Sequence, residues 1–341
     1  MTRLARLARF AAVALAAGAC VAAAPVGVVQ KGVVFTDYPP QASVAELMRR
    51  LLSPLQVAKQ LDENARSGLG APPAQAFDPA GESFALYVPA NKPPAGYGLV
   101  VYVPPWDDAE IPPRYTPVLD QLGVIMVSAA HSGNAQDTAN RRVPLAVLAA
   151  ANVATLYPVD PSRVFVAGLS GGGQVAMRIA LAYPDVFHGA ILNSGSNVLG
   201  DADDAAPPRD LFEQLQTGSR LIYVTGENDE TNIDIDAASR ASLRDLCMFN
   251  IATQTVPQMG HDLAPPLSFA LALKTLMTPI NTDAARLAAC RAKVDGAIDA
   301  RLAAVQAQLA AGRRDAALSA LADIDRRYGG LAAPRSTDLA K

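Results

Sequence analysis

Histidine is scarce in this chain, with three residues in 341: His131, His188 and His261. Any chemistry that needs an imidazole has three places to find one. Tryptophan occurs once, as Trp106, and cysteine three times, at Cys20, Cys247 and Cys290. Charge is also sparse, at 18% of residues and a net −3. No basic stripe or basic–aromatic patch is present, which excludes nucleic acid as the expected partner. No lysine follows the glycine-rich turn described below, so a phosphate-binding loop fits poorly. Half of the residues are hydrophobic, enough for one large α/β domain plus extensions.

The amino end reads as a leader. Arg3, Arg6 and Arg9 precede an Ala-rich apolar stretch that starts at Phe10, with small residues through Ala24. This is the anatomy of a secretory signal peptide over 1–24. Its removal takes away three positive charges and moves the net charge from −3 to −6. The alternative is a retained anchor, since the uncharged run to Val29 is just long enough to span a membrane; Pro25 interrupts it. Ala17-Gly18-Ala19-Cys20 resembles a lipoprotein cleavage site, except that Ala17 stands where a branched residue is preferred. Cleavage after Ala19 or Ala22 and lipidation of Cys20 with membrane attachment are therefore both open. Either leaves Cys247 and Cys290. In an oxidising compartment these two would pair and tie a C-terminal extension to the main domain; otherwise they are buried small hydrophobes.

Residues 25–80 read as an irregular segment with one amphipathic helix. Ser43-x-x-Glu46 is its capping box, Leu47, Leu51, Leu55 and Ala58 its stripe, and Gly68, Gly70, Pro72 and Pro73 its end. From 81 to 280 strands and helices alternate. Strands are expected at 83–88, 98–103, 124–128, 163–167, 189–192, 220–225 and 251–256, and helices at 143–156, 172–183, 236–249 and 267–277. The pattern predicts an α/β fold, a mostly parallel sheet with helices on both faces. Over 281–341 apolar stripes at helical spacing predict an α-helical hairpin resembling one tetratricopeptide-like unit, with Gly312 at its turn. Such a unit must pack on its own domain or on a partner.

The most informative stretch runs from Val164 to Tyr183. A β-branched run enters Gly168-Leu169-Ser170-Gly171-Gly172, and a good helix former leaves it. Gly-x-Ser-x-Gly between strand and helix is the nucleophile-elbow pattern. The bland alternative is a Gly-rich turn with a buried serine. A serine hydroxyl needs a base and an orienting acid. His261 follows the last expected strand and opens on the same sheet edge as Ser170. His131, after an earlier strand, is the competitor, and His188 lies at the opposite edge. Asp229, after the strand ending at Thr225, is the acid, with Glu227 as local competitor and Asp234 and Asp236 read as caps of the next helix. The chain order Ser170, Asp229, His261 is the one described for α/β-hydrolases. The oxyanion donors are Gly171 N–H and, after the N–H-less Pro104-Pro105, Trp106 N–H. Trp106, Asp107, His131 and Leu169 are the substrate-pocket candidates. Trp106 can equally be an anchor over the sheet end.

With these residues in view, the sequence resembles the α/β-hydrolase superfamily over residues 82–278. More narrowly it is similar to the secreted polyhydroxybutyrate depolymerase and feruloyl esterase-like group. The resemblance rests on Val159-Asp160-Pro161-Ser162-Arg163-Val164, Gly168–Gly172, Tyr183-Pro184-Asp185-Val186-Phe187, Thr225-Gly226-x-x-Asp229 and Gly260-His261. It implies a secreted or periplasmic Ser–Asp–His carboxylesterase with no metal or organic cofactor. The Pro-Pro-Trp loop departs from the His-Gly pair more common there. With no recognisable polymer-binding module, a small or oligomeric ester is the expected substrate. A serine peptidase and a non-catalytic envelope scaffold are the rival readings.

Overall fold

The computed structural model describes residues 25–341 apart from 69, 202 and 203. The signal-peptide reading, the anchor alternative and the Cys20 lipidation site therefore lie outside the described residues. Among those described, no helix is long and apolar enough to cross a membrane.

The chain first lays down β1 (Val29–Val33), α1 (Val44–Leu51), α2 (Pro54–Arg66), β2 (Phe84–Tyr87) and β3 (Tyr97–Val103). It continues through α3 (Thr116–Leu122), β4 (Val124–Ala129), α4 (Val143–Leu156), β5 (Val159–Leu169) and α5 (Gly171–Ala182). Then come β6 (Gly189–Asn193), α6 (Arg209–Gly218), β7 (Arg220–Gly226), α7 (Glu230–Asp245), β8 (Ile251–Val256) and α8 (Pro266–Leu276). Helices α9 (Ala284–Ala310), α10 (Arg314–Tyr328) and α11 (Arg335–Ala340) close it.

The eight strands form one sheet in the order β1-β2-β4-β3-β5-β6-β7-β8. The β1–β2 and β2–β4 pairs are antiparallel; all others are parallel. Strand β3 shows why the sequence makes a central strand. All seven of its residues are buried. Leu99, Val101 and Val103 enter one core with α4, α5 and α6, and Val100 and Tyr102 enter the other with α3 and α8. A strand covered on both faces must be apolar at consecutive positions, and this one is.

The C-terminal helices belong to the first of these cores. Ile298, Leu302 and Val305 of α9 and Leu321, Ile324 and Tyr328 of α10 are buried in it. Their stripes are thus used within the chain's own fold. Asp325 of α10 reaches the start of α2, where its Oδ1 accepts from Leu55 N at 3.1 Å and its Oδ2 from the Ser53 hydroxyl. A second tie is the disulfide between Cys247, just past α7, and Cys290 in α9.

Four local expectations change. The leader contains a strand, β1, whose half-exposed pattern gives no alternation to read. The single amphipathic helix is two, because Pro54 takes the first position of α2 and Ser53 caps it, reciprocally with Gln56. Ser43 caps α1 but makes half a box, since the Glu46 carboxylate pairs with Arg49 and Arg50. Helix α7 begins at Glu230, so neither Asp234 nor Asp236 is a cap. Asp236 is instead a buried helical residue that accepts from Ser196 Oγ at 2.5 Å and from the Thr225 hydroxyl.

Candidate active site

Strand β5 ends at Leu169, and α5 begins at Gly171. Ser170 between them holds φ 55° and ψ −125°, a region that costs an L residue of order 1–3 kcal/mol. The turn is held by what surrounds it. Ser170 N donates to the Asn193 carbonyl at 2.8 Å. A Cβ on Gly172 would run into the Val103 carbonyl, and one on Gly168 into the Gly172 carbonyl. The two glycines let strand and helix approach closely enough to force the serine outward.

Ser170 Oγ lies 2.9 Å from His261 Nε2. His261 stands in the loop after β8, and its Nδ1 lies 2.9 Å from Asp229 Oδ2. Asp229 follows β7, is 7% exposed, and occupies the cap position of α7. The structure thus brings Asp229, His261 and Ser170 into one hydrogen-bonded chain at the carboxyl edge of the sheet. With the proton on Nδ1 donated to Asp229, Nε2 has its lone pair toward the serine hydroxyl. Burial acts to raise the Asp229 pKa, but hydrogen bonds from Asn232, His261 and Ser194 outweigh it and hold the carboxyl below its ordinary value.

Two of those donors were not legible as site residues. Asn232 Nδ2 donates to Asp229 Oδ1 at 2.9 Å and also lies 3.0 Å from His261 Nδ1. It stands three residues after Asp229, one helical turn on, a relation that appears only once α7 is known to start at Glu230. Buried Ser194 follows β6 with a φ of 45°, and nothing in its sequence context marks it. The competitors lie elsewhere. Glu227 accepts from Gln258 N at 3.0 Å and so braces the loop that carries His261. His131 is exposed; its backbone N–H donates to the Asp107 carbonyl at 2.6 Å.

The loops facing Ser170 are stitched together by one buried cation. Arg142, at the end of a π-turn over 138–142, donates to the carbonyls of Ser132 (2.8 Å), Pro104 (2.9 Å) and Gly171 (3.3 Å). Burial pushes its pKa down to about 10, with Asp107 acting weakly the other way. Asp107 Oδ1 accepts from Gly133 N at 2.9 Å, joining the same two loops. The Trp106 ring packs near Tyr102, with centroids 6.4 Å apart, against the core that holds α3 and α8.

A cavity of about 450 Å³ opens beside Ser170, lined among others by Asn134, Arg142, Gln174, Arg178 and Asn197. The pocket residues expected from sequence, Trp106, Asp107, His131 and Leu169, are not in this lining. Leu169 is buried in the strand, Asp107 braces a loop, His131 is exposed, and Trp106 anchors its loop on the core. Polar side chains from α5 and from the loops after β4 and β6 take their place.

No family model matches the chain. Among curated proteins it is 31% identical over 109 residues to a poly(3-hydroxybutyrate) depolymerase of Ralstonia pickettii. The match covers 29% of this chain and spans 18% of that protein's length. Among solved structures it is similar to LpqC, a poly(3-hydroxybutyrate) depolymerase from Bordetella parapertussis, at 18% identity and a TM-score of 0.43, covering 61% of this chain and 88% of that one. It is also similar to Est1E from Butyrivibrio proteoclasticus, at 18% identity and a TM-score of 0.41, covering 57% and 93%. By its mostly parallel sheet, and by the strand–Ser170–helix turn at the carboxyl edge, the chain is an α/β-hydrolase in fold, similar to the depolymerase and esterase-like group.

Proposed function

We propose that the protein hydrolyses carboxylic esters through an acyl-enzyme on Ser170. The observation that carries this reading is the chain of two 2.9 Å contacts from Asp229 through His261 to Ser170. His261 takes the hydroxyl proton as Ser170 Oγ attacks the ester carbonyl. Ionised Asp229 holds the imidazole tautomer and stabilises the imidazolium. The tetrahedral oxyanion is received by Gly171 N–H, at the positive end of α5, and by Trp106 N–H. His261 then protonates the departing alcohol. A water activated by the same histidine releases the acid and restores the serine.

The amino-terminal leader and the Cys247–Cys290 bridge support an exported enzyme, since such bridges persist in oxidising compartments. The partial likeness to a depolymerase supports an ester rather than an amide substrate. The test is fluorophosphonate labelling of the purified protein with peptide mass mapping. An adduct on Ser170 that is lost in His261→Ala is expected, together with a fall of at least ~10⁴-fold in esterase rate for Ser170→Ala. Full esterase activity in Ser170→Ala would overturn the assignment.

A further inference from the structure

Arg142 is 3% exposed, and its three hydrogen bonds all go to backbone carbonyls. Neutral carbonyls orient a guanidinium but do not cancel its charge. Among the described residues no carboxylate stands in ion-pair contact with it, and Asp107 acts only at longer range. Taking an ion out of water without a counter-ion is unfavourable. A guanidinium has five N–H donors, so three bonds leave two to spare. Arg142 borders the cavity beside Ser170, and so do Arg178 and Asp204, whose opposite charges meet in an ion pair and leave Arg142 as the cation of this lining with no carboxylate in ion-pair contact. Asn134, Gln174 and Asn197 add amide groups, and Val175 is the apolar side chain of this lining. A long alkyl chain placed here would shut the Arg142 guanidinium and the lining amides off from water without pairing them, which selects against it.

We propose that this cleft is a carboxylate subsite, so that the ester taken by Ser170 carries an acidic group which pairs with Arg142. The subsite rests on the reading of Ser170 as the nucleophile. Arginine suits the task, because its planar fork matches the two oxygens of a carboxylate. The charge on the ligand supplies the missing counter-ion, and the amides of the cleft receive the remaining lone pairs and hydroxyls.

The test measures binding without chemistry, on the full-length Ser170→Ala protein, by titration calorimetry. Monomethyl succinate carries its charge on the acyl side, and methyl butyrate is its neutral match. Acetoxyacetate carries its charge on the alcohol side, and ethyl acetate is its neutral match. At least one acid should bind ten-fold or more tightly than its neutral match. Gln174→Glu, an exposed change in the same lining, should remove that preference. Arg142→Gln should do the same if it folds by circular dichroism; the Gln174 variant carries the test if it does not. Neutral esters binding as well as both acids would overturn the subsite. Failure of Ser170 to label in the unsubstituted protein would instead sink the hydrolase reading, and because the calorimetry uses no serine chemistry the two failures are read separately.

Discussion

Asn232→Ala isolates the hydrogen bond that orients the acid of the proposed triad. Asp229 is buried, so desolvation alone would lift its pKa and make the neutral form easier to reach. Three donors oppose this, and Asn232 is one, at 2.9 Å from Oδ1. A hydrogen bond to a charged group contributes about 1.5–3 kcal/mol. If the whole of it serves to hold Asp229 ionised and aimed at His261 Nδ1, its loss lowers kcat/KM by about 10- to 150-fold, at 1.4 kcal/mol per decade. The pH dependence gives a second reading with a definite sign. The native Asp229 pKa is depressed, so its ionised form, and the stability it contributes, are present above the unfolded value and lost as pH falls through the native one. Removing a donor raises the native pKa and moves the acid limb of the stability–pH profile to higher pH. The assay is ester hydrolysis by wild type and variant in parallel, plus urea unfolding of both across pH. Asn232→Asp keeps the shape but replaces the donor with a like charge, so it should fall at least as far. An Asn232→Ala enzyme with unchanged kcat/KM and an unmoved acid limb would refute the reasoning.

The C-terminal tie is open to the same treatment. Asp325→Ala leaves the Ser53 hydroxyl and Leu55 N–H without their acceptor and should lower unfolding stability in urea by about 2–3 kcal/mol. Burial raises the Asp325 pKa against the hydrogen bonds that favour its ion; Asp325→Asn, neutral and still an acceptor, should therefore lose less than half as much. Replacing Cys247 and Cys290 by serine opens a loop of 43 residues. Loop-closure entropy then predicts a loss of about 4 kcal/mol, read as a lower denaturant midpoint. The rate of Ser170 labelling under native conditions should stay within two-fold of wild type.

The inner strands were readable because they are buried on both faces. Residues 98–103 and 124–128 are short, mostly apolar runs between turn signals, and β3 and β4 stand there within one residue. Where burial is partial the signal weakens. Strand β1 shows neither a continuous apolar run nor an alternation, and it exists because β2 would otherwise present an unpaired edge. The break between α1 and α2 was legible in Ser53-Pro54, a cap followed by a first-turn proline. The apolar stripe of Leu47, Leu51 and Leu55 runs through it and hides it, because both helices turn the same kind of face inward.

In the site, the residues that sequence brought forward are those whose chemistry is tied to a position along one element. Ser170 needs a strand, a turn and a helix in succession, and all three are local. Asp229 and His261 follow strands of the same parallel sheet, so parallel order alone carries them to one edge. The pocket had no such rule behind it. Arg142 reaches Pro104, Ser132 and Gly171, which are 38, 10 and 29 residues away. Those separations acquire meaning only after β3, β4 and β5 are paired side by side. Trp106 is the single tryptophan and close in sequence to the loops around Ser170, but an indole is mostly apolar surface, and here it packs against the core beside Tyr102. Rarity marked a loop anchor, whereas the groups that face Ser170 across the cleft are an ordinary arginine and ordinary amides. What separates Arg142 from the other arginines of the chain is burial without a counter-ion among the described residues, a property of the folded loops together.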